Sequence, residues 1–383
     1  MQRICIFADF PLGALTASGT GRGGGQLATW LPQLAQTWAH QTDFEIHWCV
    51  LDRKVRTAST EEAWGQVFHR LPHRGISAGM LLGRWPERLA FRKVLRSVRP
   101  ELIHCWGTEN LNGVALLGFS GPSILSMQGV LRAIDKTGDL TGWRWWLFKH
   151  WEPVSLRRAG LVTSESAWGL ARVGEIVPGK PVRKVEYGVF PSFYDVTWSP
   201  APQAPEVLFA GGLGRLKGVD ILLEMLRRHP RRPWKMVFAG HGYLADSLRA
   251  LADPMVEVLG NLTTQELQAR MARAWVLVHP SRADTSPNVV KEARVVGLPV
   301  VGSPNGGHAE YIEHGVDGYV VGSEEPDQWF EVLDGLCGDH ARCVRLGGVN
   351  HARFREHFRV AHTAAAFLKL YREVANGLVP PPS

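Results

Sequence analysis

The sequence predicts an α/β protein of two domains, each built on a parallel β-sheet. Short apolar strands alternate with helical stretches along the chain, the pattern of parallel sheets with helical crossovers. A chain of 383 residues exceeds the usual size of one domain. Three prolines fall within residues 198–205 and disfavour both a helix and a central strand there. We therefore expect residues 198–205 to link a domain at 1–197 to a second domain at 206–359.

The predicted elements follow the apolar runs in order. In the first domain the expected strands are 3–8, 44–51, 102–105, 123–127 and 161–163. In the second domain they are 207–210, 235–239, 256–259, 276–279, 299–302 and 318–321. The clearest helices are expected at 27–38, 220–228, 245–252, 264–273, 326–336 and 360–376.

The charge of the chain is unevenly distributed. The net charge is +7, and a count along the sequence assigns the whole excess to the residues before the predicted linker. An excess of this kind favours an anionic partner for the first domain, either a phosphate-bearing acceptor or an anionic membrane surface. We expect no nucleic-acid partner, because no helix-turn-helix, zinc-finger or RNP-type motif accompanies the charge.

The cysteines and the apolar stretches indicate a cytoplasmic protein. The five cysteines show neither a C-x-x-C pair nor zinc-ligand spacing, so we expect reduced thiols and no metal site. Residues 1–9 are typical of a first strand and too short in their apolar part for a signal peptide. No stretch approaches the roughly 18 apolar residues of a membrane span. Membrane contact, if present, is expected to be peripheral.

Two acids eight positions apart, Asp284 and Glu292, form the most informative motif. Asp284 lies in a loop after the 276–279 strand, and Pro287 can open the next helix because its missing N–H needs no partner there. The first N–H groups of such a helix form an anion site, and Glu292 lies one turn inside it. A ligand with a phosphate and sugar hydroxyls suits this loop. An ordinary strand–helix connection with two solvated acids is the alternative.

The surrounding residues resemble the E-x7-E region of retaining glycosyltransferases of the GT-B fold, in glycosyltransferase family 4. The run P-N-V-V-K-E-A from Pro287, the run G-L-P-V-V from Gly297 and the G-G-x-x-E-x-I pattern from Gly306 match that family. Asp284 departs from the pattern by one methylene, since the family has Glu there. The resemblance implies two Rossmann-like domains facing a cleft, the second binding the nucleotide sugar and the first the acceptor. It also implies that residues 360–383 cross back to the first domain.

The resemblance further implies roles for the motif residues. Glu292 is expected to hold the ribose hydroxyls, and Asp284 the donor sugar. The donor diphosphate is expected at the helix start, against Ser286, Pro287, Asn288 and Val289. The family's reaction needs no metal ion and no cofactor besides the donor itself.

A glycine-rich turn follows the first strand of the second domain. Glycine lets a backbone approach a ligand closely, and Lys217 supplies a point charge for phosphate oxygens. The family's pattern here is G-R-L-x-x-x-K-G, in which Arg and Lys contact the diphosphate. Lys217 matches, whereas Gly212 stands at the Arg position, and Arg215 is the candidate substitute. A tight turn with a surface lysine is the alternative.

Two further segments resemble the nucleotide-binding segments of the family. Gly240 and Gly242 match its A-G-x-G turn, which borders the nucleotide. Asn261 and Leu262 lie in its V-x-F-x-G-x-V segment, whose backbone receives the base.

A glycine-rich loop, residues 19–26, precedes the first helix. Its G-x-G-x-x-G spacing matches the fingerprint of a dinucleotide-binding site. That fingerprint needs the turn immediately after the strand, whereas these glycines begin well after the first strand ends, which disfavours a dinucleotide site. In the family, a G-G pair here meets the donor phosphate and the acceptor. We assign Gly24 and Gly25 to the donor and Gln26 to the acceptor side, with a flexible loop as the alternative.

Two strand ends of the first domain complete the expected site. Residues 100–107 resemble the family's P-D-x-I-H-x-H-G, with His104 expected to be structural and Trp106 to face the acceptor. Gln128 stands where many relatives carry a His, and its amide cannot act as a base.

Tryptophans and basic residues interleave in residues 142–151. This composition suits a membrane interface or an amphipathic acceptor. Packing of the aromatic rings into a core is the competing interpretation.

The sequence therefore predicts a retaining glycosyltransferase that moves a hexose-type sugar from a UDP- or GDP-sugar to a glycan, lipid-linked or small-molecule acceptor. Lys217, Asp284 and Glu292 are the expected catalytic residues. Two alternatives stay open, a GT-B sugar-nucleotide epimerase and a silent nucleotide-sugar-binding protein, the second favoured by Gly212 and Gln128. A nicotinamide dehydrogenase is a more distant one.

Overall fold

The computed structural model describes residues 1–15, 30–73, 85–108, 112–139, 142–322 and 324–378. It confirms two α/β domains, each built around a largely parallel sheet. The first sheet has the order β3-β4-β2-β1-β5-β6-β7-β8 and the second β11-β10-β9-β12-β13-β14 once the described strands are numbered along the chain. The strands of the first sheet are β1 (Gln2–Phe7), β2 (Phe44–Asp52), β3 (Ser59–Ala63), β4 (Gln66–Pro72), β5 (Leu102–Trp106), β6 (Ser123–Ser126), β7 (Leu161–Ser164) and β8 (Val182–Lys184). Those of the second are β9 (Glu206–Ala210), β10 (Lys235–Ala239), β11 (Val256–Gly260), β12 (Val276–His279), β13 (Val300–Gly302) and β14 (Gly318–Val320).

Helices pack on both faces of each sheet and bury its central strands. In the first half the described α-helices are Leu31–Thr37, Trp85–Val98, Leu131–Asp135, Trp143–Arg158 and Ala167–Ile176. In the second half they are Val219–Arg228, Ala245–Arg249, Thr264–Arg273, Asn288–Val296, Pro326–Cys337, His340–Gly348, His351–His357 and Val360–Ala375. The Thr264–Arg273 helix begins with a capping box, in which Thr263 and Glu266 satisfy each other's backbone N–H groups.

Three strands of the first sheet, β3, β4 and β8, were not expected from the sequence. β3 pairs antiparallel with β4, whereas the other pairs of described strands are parallel. β3 is an edge strand of mostly polar, exposed residues, so it lacks the apolar run that predicts a strand. β8 has three residues and lies at the opposite edge.

The chain crosses between the domains at Gly188, before the predicted linker. Tyr187 packs in the core of the first domain, whereas Val189 and Phe193 pack in that of the second. A Cβ at Gly188 would lie 2.6 Å from the backbone of Val360, where the chain crosses back. The predicted boundary at 197 is therefore corrected, because residues 189–197 pack with the second domain.

The last helix, Val360–Ala375, packs against the first domain. Phe367 and Tyr371 are fully buried in its core, and the Trp38 indole donates to the Ala364 carbonyl at 3.1 Å. The Tyr371 hydroxyl lies 2.8 Å from His104 Nδ1. The second crossover is thereby anchored on the first sheet.

A buried ion pair joins the two domains beside this crossover. Lys291 Nζ lies 2.6 Å from Glu165 Oε2 and donates to the Tyr187 carbonyl at 3.1 Å. The Lys291 side chain is fully buried and that of Glu165 is 8% exposed. Such a pair fixes the position of the Asn288–Val296 helix on the first domain. Separating the two buried side chains would leave each charge without a partner and without water.

No helix in the described part of the chain is both long and apolar enough to cross a membrane.

Candidate functional site

The candidate site lies at the carboxyl ends of β9 and β12, which are neighbours in the second sheet. The turn after β9 carries Lys217 and the loop after β12 carries Asp284. The carboxyl ends of parallel strands share one edge of a sheet, where ligands of open α/β folds bind. The Lys217 ammonium donates a hydrogen bond to Asp284 Oδ2, so the two residues are in direct contact.

Asp284 is an ionised carboxylate held in a nearly dry environment. Its side chain is 12% exposed, and His279 Nε2 lies 3.5 Å from Oδ2. Burial alone would raise the pKa of Asp284, but the Lys217 charge and the His279 ring outweigh burial and hold that pKa well below its ordinary value. The carboxylate is therefore an acceptor for ligand hydroxyls throughout the neutral pH range.

Two buried histidines beside Asp284 were missed by sequence reasoning. His279 ends β12, and His308 follows the Gly306-Gly307 pair, with ring centroids 4.9 Å apart. Burial lowers the pKa of His279, and burial lowers that of His308 to about 3, so both rings are neutral. A polar residue ending an apolar strand directly before the acidic loop was the available signal for His279.

The glycine-rich turn leaves open space at the position where the family has Arg. A Cβ at Gly212 would meet nothing within 4 Å. Arg215, the expected substitute, has a side chain 58% exposed and lies 4.0 Å from Asp220 Oδ2. Lys217 is thus the cation that the structure brings to Asp284, whereas the exposed Arg215 side chain is directed toward Asp220.

Gly240 and Gly242 are required by close backbone packing. A Cβ at Gly240, whose φ is +140°, would lie 1.8 Å from the Gly211 carbonyl oxygen, and one at Gly242 would lie 2.3 Å from that of Leu213. These glycines hold the A-G-x-G turn against the turn that leads to Lys217. Asn261 Oδ1 lies 2.8 Å from His241 Nδ1, and Leu262 packs partly into the core.

The helix start predicted as an anion site begins at Asn288. Pro287 is its N-cap residue rather than its first helical residue. The N–H groups of Asn288 and Val289 lie in the first turn and have no carbonyl partner within the helix. Ser286 is mostly buried, with its hydroxyl 3.3 Å from that of Tyr311.

Glu292 is almost fully buried, at 2% exposure, and faces the first domain. It lines a narrow pocket with Asn288 from its own helix and with Trp30 and Gln33 from the first helix region. Asp284 thus lies beside Lys217 and His279, whereas Glu292 lines a pocket next to the first domain. The first-turn N–H groups of the helix lie between the two acids in the chain.

Trp106 was predicted to face the acceptor, and this is wrong. Its ring is 1% exposed and its indole N–H donates to the Tyr187 hydroxyl at 2.8 Å. The aromatic strand end is covered by Trp30, whose ring centroid lies 5.0 Å away. His104 is structural as expected: burial lowers its pKa to about 3, and Ser126 contacts its second nitrogen at 2.7 Å.

The remaining acceptor-side residues divide between described and undescribed segments. Gln128 is half-buried just after β6. Gly24, Gly25 and Gln26 lie outside the described residues.

Residues 143–151 lie in the Trp143–Arg158 helix, and its described side chains divide between surface and core. Trp146 is 64% exposed and stacks with His150, whereas Phe148 is buried. Lys149 is paired with Asp135 at 2.7 Å. The described side chains of this run therefore favour neither the interfacial nor the core interpretation alone.

Comparison with known proteins gives a family match for part of the chain and structural matches for nearly all of it. Residues 204–339 match the family described as "Glycosyl transferases group 1". Sucrose-phosphate synthase from Thermosynechococcus elongatus superposes with a TM-score of 0.78 at 17% identity, covering 98% of this chain and 100% of that one. A complex of Anabaena HepE with UDP-glucose gives a TM-score of 0.66 at 15% identity, covering 97% and 100%. The chain therefore has the GT-B fold.

Curated relatives match slightly less than half of the chain. A D-inositol 3-phosphate glycosyltransferase from Catenulispora acidiphila is 30% identical over 190 residues, which are 45% of this chain and 44% of the relative. One from Nocardia farcinica is 31% identical over 190 residues, 45% and 41% of the two chains. The matched region thus spans less than half of the length of either relative. Residues 204–339 of this chain are therefore similar to group 1 glycosyltransferases.

Proposed function

We propose that this protein is a retaining glycosyltransferase that transfers a hexose-type sugar from a nucleoside-diphosphate sugar to a hydroxyl of an acceptor. The observation that carries the proposal is the contact between Lys217 and the buried Asp284 at the edge of the second sheet. A cation for a diphosphate and an ionised acceptor for sugar hydroxyls lie side by side there. The group 1 match covers both residues.

The donor diphosphate binds where positive charge and backbone N–H groups converge. Lys217 and the first-turn amides of the Asn288–Val296 helix stabilise the negative charge that develops on the leaving diphosphate. Arg215 can join them only by turning its exposed side chain toward the site. These cationic groups and the helix dipole supply the stabilisation in a reaction that needs no metal ion.

The two acids hold the two sugars of the donor. Asp284 accepts hydrogen bonds from hydroxyls of the transferred sugar, and Glu292 accepts them from the ribose. The bond between the anomeric carbon and the diphosphate oxygen breaks as the acceptor oxygen bonds to the same face of that carbon. The acceptor proton passes to the departing phosphate oxygen, so no side chain has to act as nucleophile.

The proposed donor class is argued from a structural neighbour, and the proposed acceptor class from the curated relatives and the positive charge of the first domain. UDP and UDP-glucose are bound by the structural neighbour HepE, which makes UDP-sugars the first donors to test and GDP-sugars the second. The curated relatives are named for D-inositol 3-phosphate, and an anionic acceptor of this kind suits the +7 excess of the first domain. A glycan or a lipid-linked acceptor with a phosphate group has the same charge complementarity.

Thermal-shift screening with UDP, GDP, ADP and TDP, followed by calorimetry, tests the donor class. We expect one of the diphosphates to stabilise the protein, and UDP is the first candidate. The corresponding monophosphate should stabilise it less, because it lacks the second phosphate, which Lys217 is proposed to bind. Absence of a shift with all four diphosphates, in protein shown to be folded, contradicts the proposal.

Replacement of Glu292 by Gln is expected to weaken donor binding and to lower turnover without changing the mechanism. The amide keeps the size of the side chain but loses the charge that favours ribose hydroxyls. Calorimetry gives the affinity, and mass spectrometry of the protein with donor gives the covalent state. A glycosyl adduct on Glu292 in the wild-type protein would overturn its assignment to ribose.

A silent nucleotide-sugar-binding protein is the second candidate function, favoured by the missing arginine at Gly212. Because the space there is open, Gly212→Arg is expected to fold and to strengthen UDP binding by about 1 kcal/mol, the gain of a charged hydrogen bond less the cost of ordering a long side chain. Gly348→Arg adds the same charge at another open position and serves as the control. Equal effects of the two substitutions in calorimetry contradict a role for position 212.

Peripheral contact with the cytoplasmic face of an anionic membrane is proposed for the Trp143–Arg158 helix. Trp146 is exposed there, so Trp146→Ser is expected to reduce flotation with anionic vesicles at low salt. Leu378→Ser removes an exposed apolar side chain outside this helix and is the control. If the wild-type protein floats with neither anionic nor neutral vesicles, the proposed membrane contact is contradicted and a soluble acceptor is favoured.

A further inference from the structure

A carboxylate of the first domain reaches across the cleft to the turn that leads to Lys217. Asp139 follows the Leu131–Asp135 helix of the first domain, and its Oδ2 accepts a hydrogen bond from the Leu216 backbone N–H. Its Oδ1 accepts one from the Tyr243 hydroxyl at 2.7 Å. The same hydroxyl accepts the Arg215 backbone N–H at 2.9 Å. Two consecutive N–H groups of the turn are thus committed to this contact.

The contact uses donors that suit an anionic ligand. Backbone N–H groups bind carboxylate and phosphate oxygens in the same way, and the charge of the acceptor strengthens the bond. The Lys217 ammonium, which follows directly in the chain, is engaged by Asp284. In this arrangement the Lys217 ammonium is engaged by Asp284, the Leu216 amide by Asp139 and the Arg215 amide by Tyr243.

The contact lies at the surface and contributes little to packing. Tyr243 is 61% exposed, and Asp139 is partly exposed. A side chain at Gly214 would begin 3.0 Å from the Tyr243 ring, so the absence of a side chain there lets the ring lie over the turn. Exposed polar contacts of this kind break at small cost, unlike the buried Lys291–Glu165 pair on the crossover side.

We propose that Asp139 sets the donor affinity of this protein: its carboxylate, with Tyr243, holds the 214–217 turn across the cleft and is displaced when a diphosphate binds there. The proposal rests on the function proposed above. A protein whose competent form is a fraction of the population binds with an affinity reduced by that fraction. Removal of the Asp139 carboxylate therefore tightens diphosphate binding and loosens the contact between the domains.

Asp139→Ala and Tyr243→Phe test the proposal, with Asp135→Asn as the matched control. Asp135 lies in the same segment but pairs with Lys149 of its own domain. Dissociation constants for UDP and for inorganic pyrophosphate are measured by calorimetry, and the radius of gyration without ligand by small-angle X-ray scattering. Thermal melts establish that each variant is folded, and Tyr243→Phe removes one hydroxyl only.

We expect Asp139→Ala to bind UDP about three- to tenfold more tightly than the wild-type protein, the effect of one lost competing hydrogen-bond contact. Tyr243→Phe should show a smaller change in the same direction, and Asp135→Asn none. The radius of gyration without ligand should rise in Asp139→Ala alone among the aspartate variants. Pyrophosphate should follow UDP, because the contact concerns the diphosphate and not the base.

Unchanged or weaker UDP binding by Asp139→Ala, with wild-type binding intact, overturns the proposal. If the wild-type protein binds neither UDP nor pyrophosphate, the proposed competition between Asp139 and a diphosphate is overturned. The same result separately contradicts the proposed donor site. The scattering comparison does not depend on ligand, so an expansion of Asp139→Ala in that case would still assign the cross-cleft contact to Asp139.

Discussion

Replacement of Lys217 by Ala is expected to weaken nucleoside-diphosphate binding by roughly 1.5–3 kcal/mol, about 10- to 150-fold in the dissociation constant. The substitution removes the cation proposed to bind the diphosphate. It also leaves Asp284 nearly buried without one of the two groups that keep its pKa low, so that pKa rises from its depressed value while the His279 ring still opposes the effect of burial. Turnover should fall further than binding, since Lys217 is proposed to stabilise the charge that develops on the leaving diphosphate.

Calorimetry with UDP measures the binding, and Lys235→Ala is the matched control. Lys235 lies in the same domain and pairs with Glu257 at 2.6 Å, away from the turn. Affinity that is the same in Lys217→Ala, Lys235→Ala and the wild-type protein would remove Lys217 from the site.

Replacement of Lys291 by Met is expected to destabilise the protein by about 3–5 kcal/mol, the cost of leaving one member of a buried ion pair without its partner. Glu165 would keep its burial and lose the ammonium 2.6 Å away. The measurement is the free energy of unfolding in urea, with fluorescence of the many tryptophans as the signal.

The double variant Lys291→Met with Glu165→Leu distinguishes a lost ion pair from a damaged helix. Removing both charges takes away the unpaired carboxylate, so most of the stability should return. A single variant that loses less than about 1 kcal/mol, or a double variant as unstable as the single, contradicts the role of the pair in joining the domains.

Much of the fold could be predicted because short apolar runs and turn residues indicate individual strands and helices. β10 and β12 occupy the predicted residues, since their apolar runs are short and end at turns. The edge strand Ser59–Ala63 could not be found in this way, because its side chains face water and carry no apolar pattern. The domain crossing at Gly188 was misplaced, since prolines mark a stiff segment but do not reveal which core the flanking residues join.

The candidate site was predicted in its residues but not in its contacts. Lys217 and Asp284 were each identified from a local motif, and their pairing depends on β9 and β12 being neighbours in the sheet. Lys291 stands between residues of the motif yet pairs with the first domain, which no local pattern indicates. Trp106 was misassigned because a strand end can face the cleft or lie beneath another side chain, and Trp30 covers it.

Transfer of labelled sugar tests the central claim most directly. The wild-type protein is incubated with a labelled UDP-sugar, or with a GDP-sugar where the screen selects GDP, with and without an acceptor extract. Asp284→Asn, which removes the carboxylate charge at constant size, serves as the comparison. The account predicts release of nucleoside diphosphate that depends on acceptor, label in the acceptor with the donor's anomeric configuration, and loss of both in Asp284→Asn. Conversion of the donor without acceptor would indicate an epimerase, and binding of the donor without turnover under any acceptor would indicate a silent binding protein; either result contradicts the account.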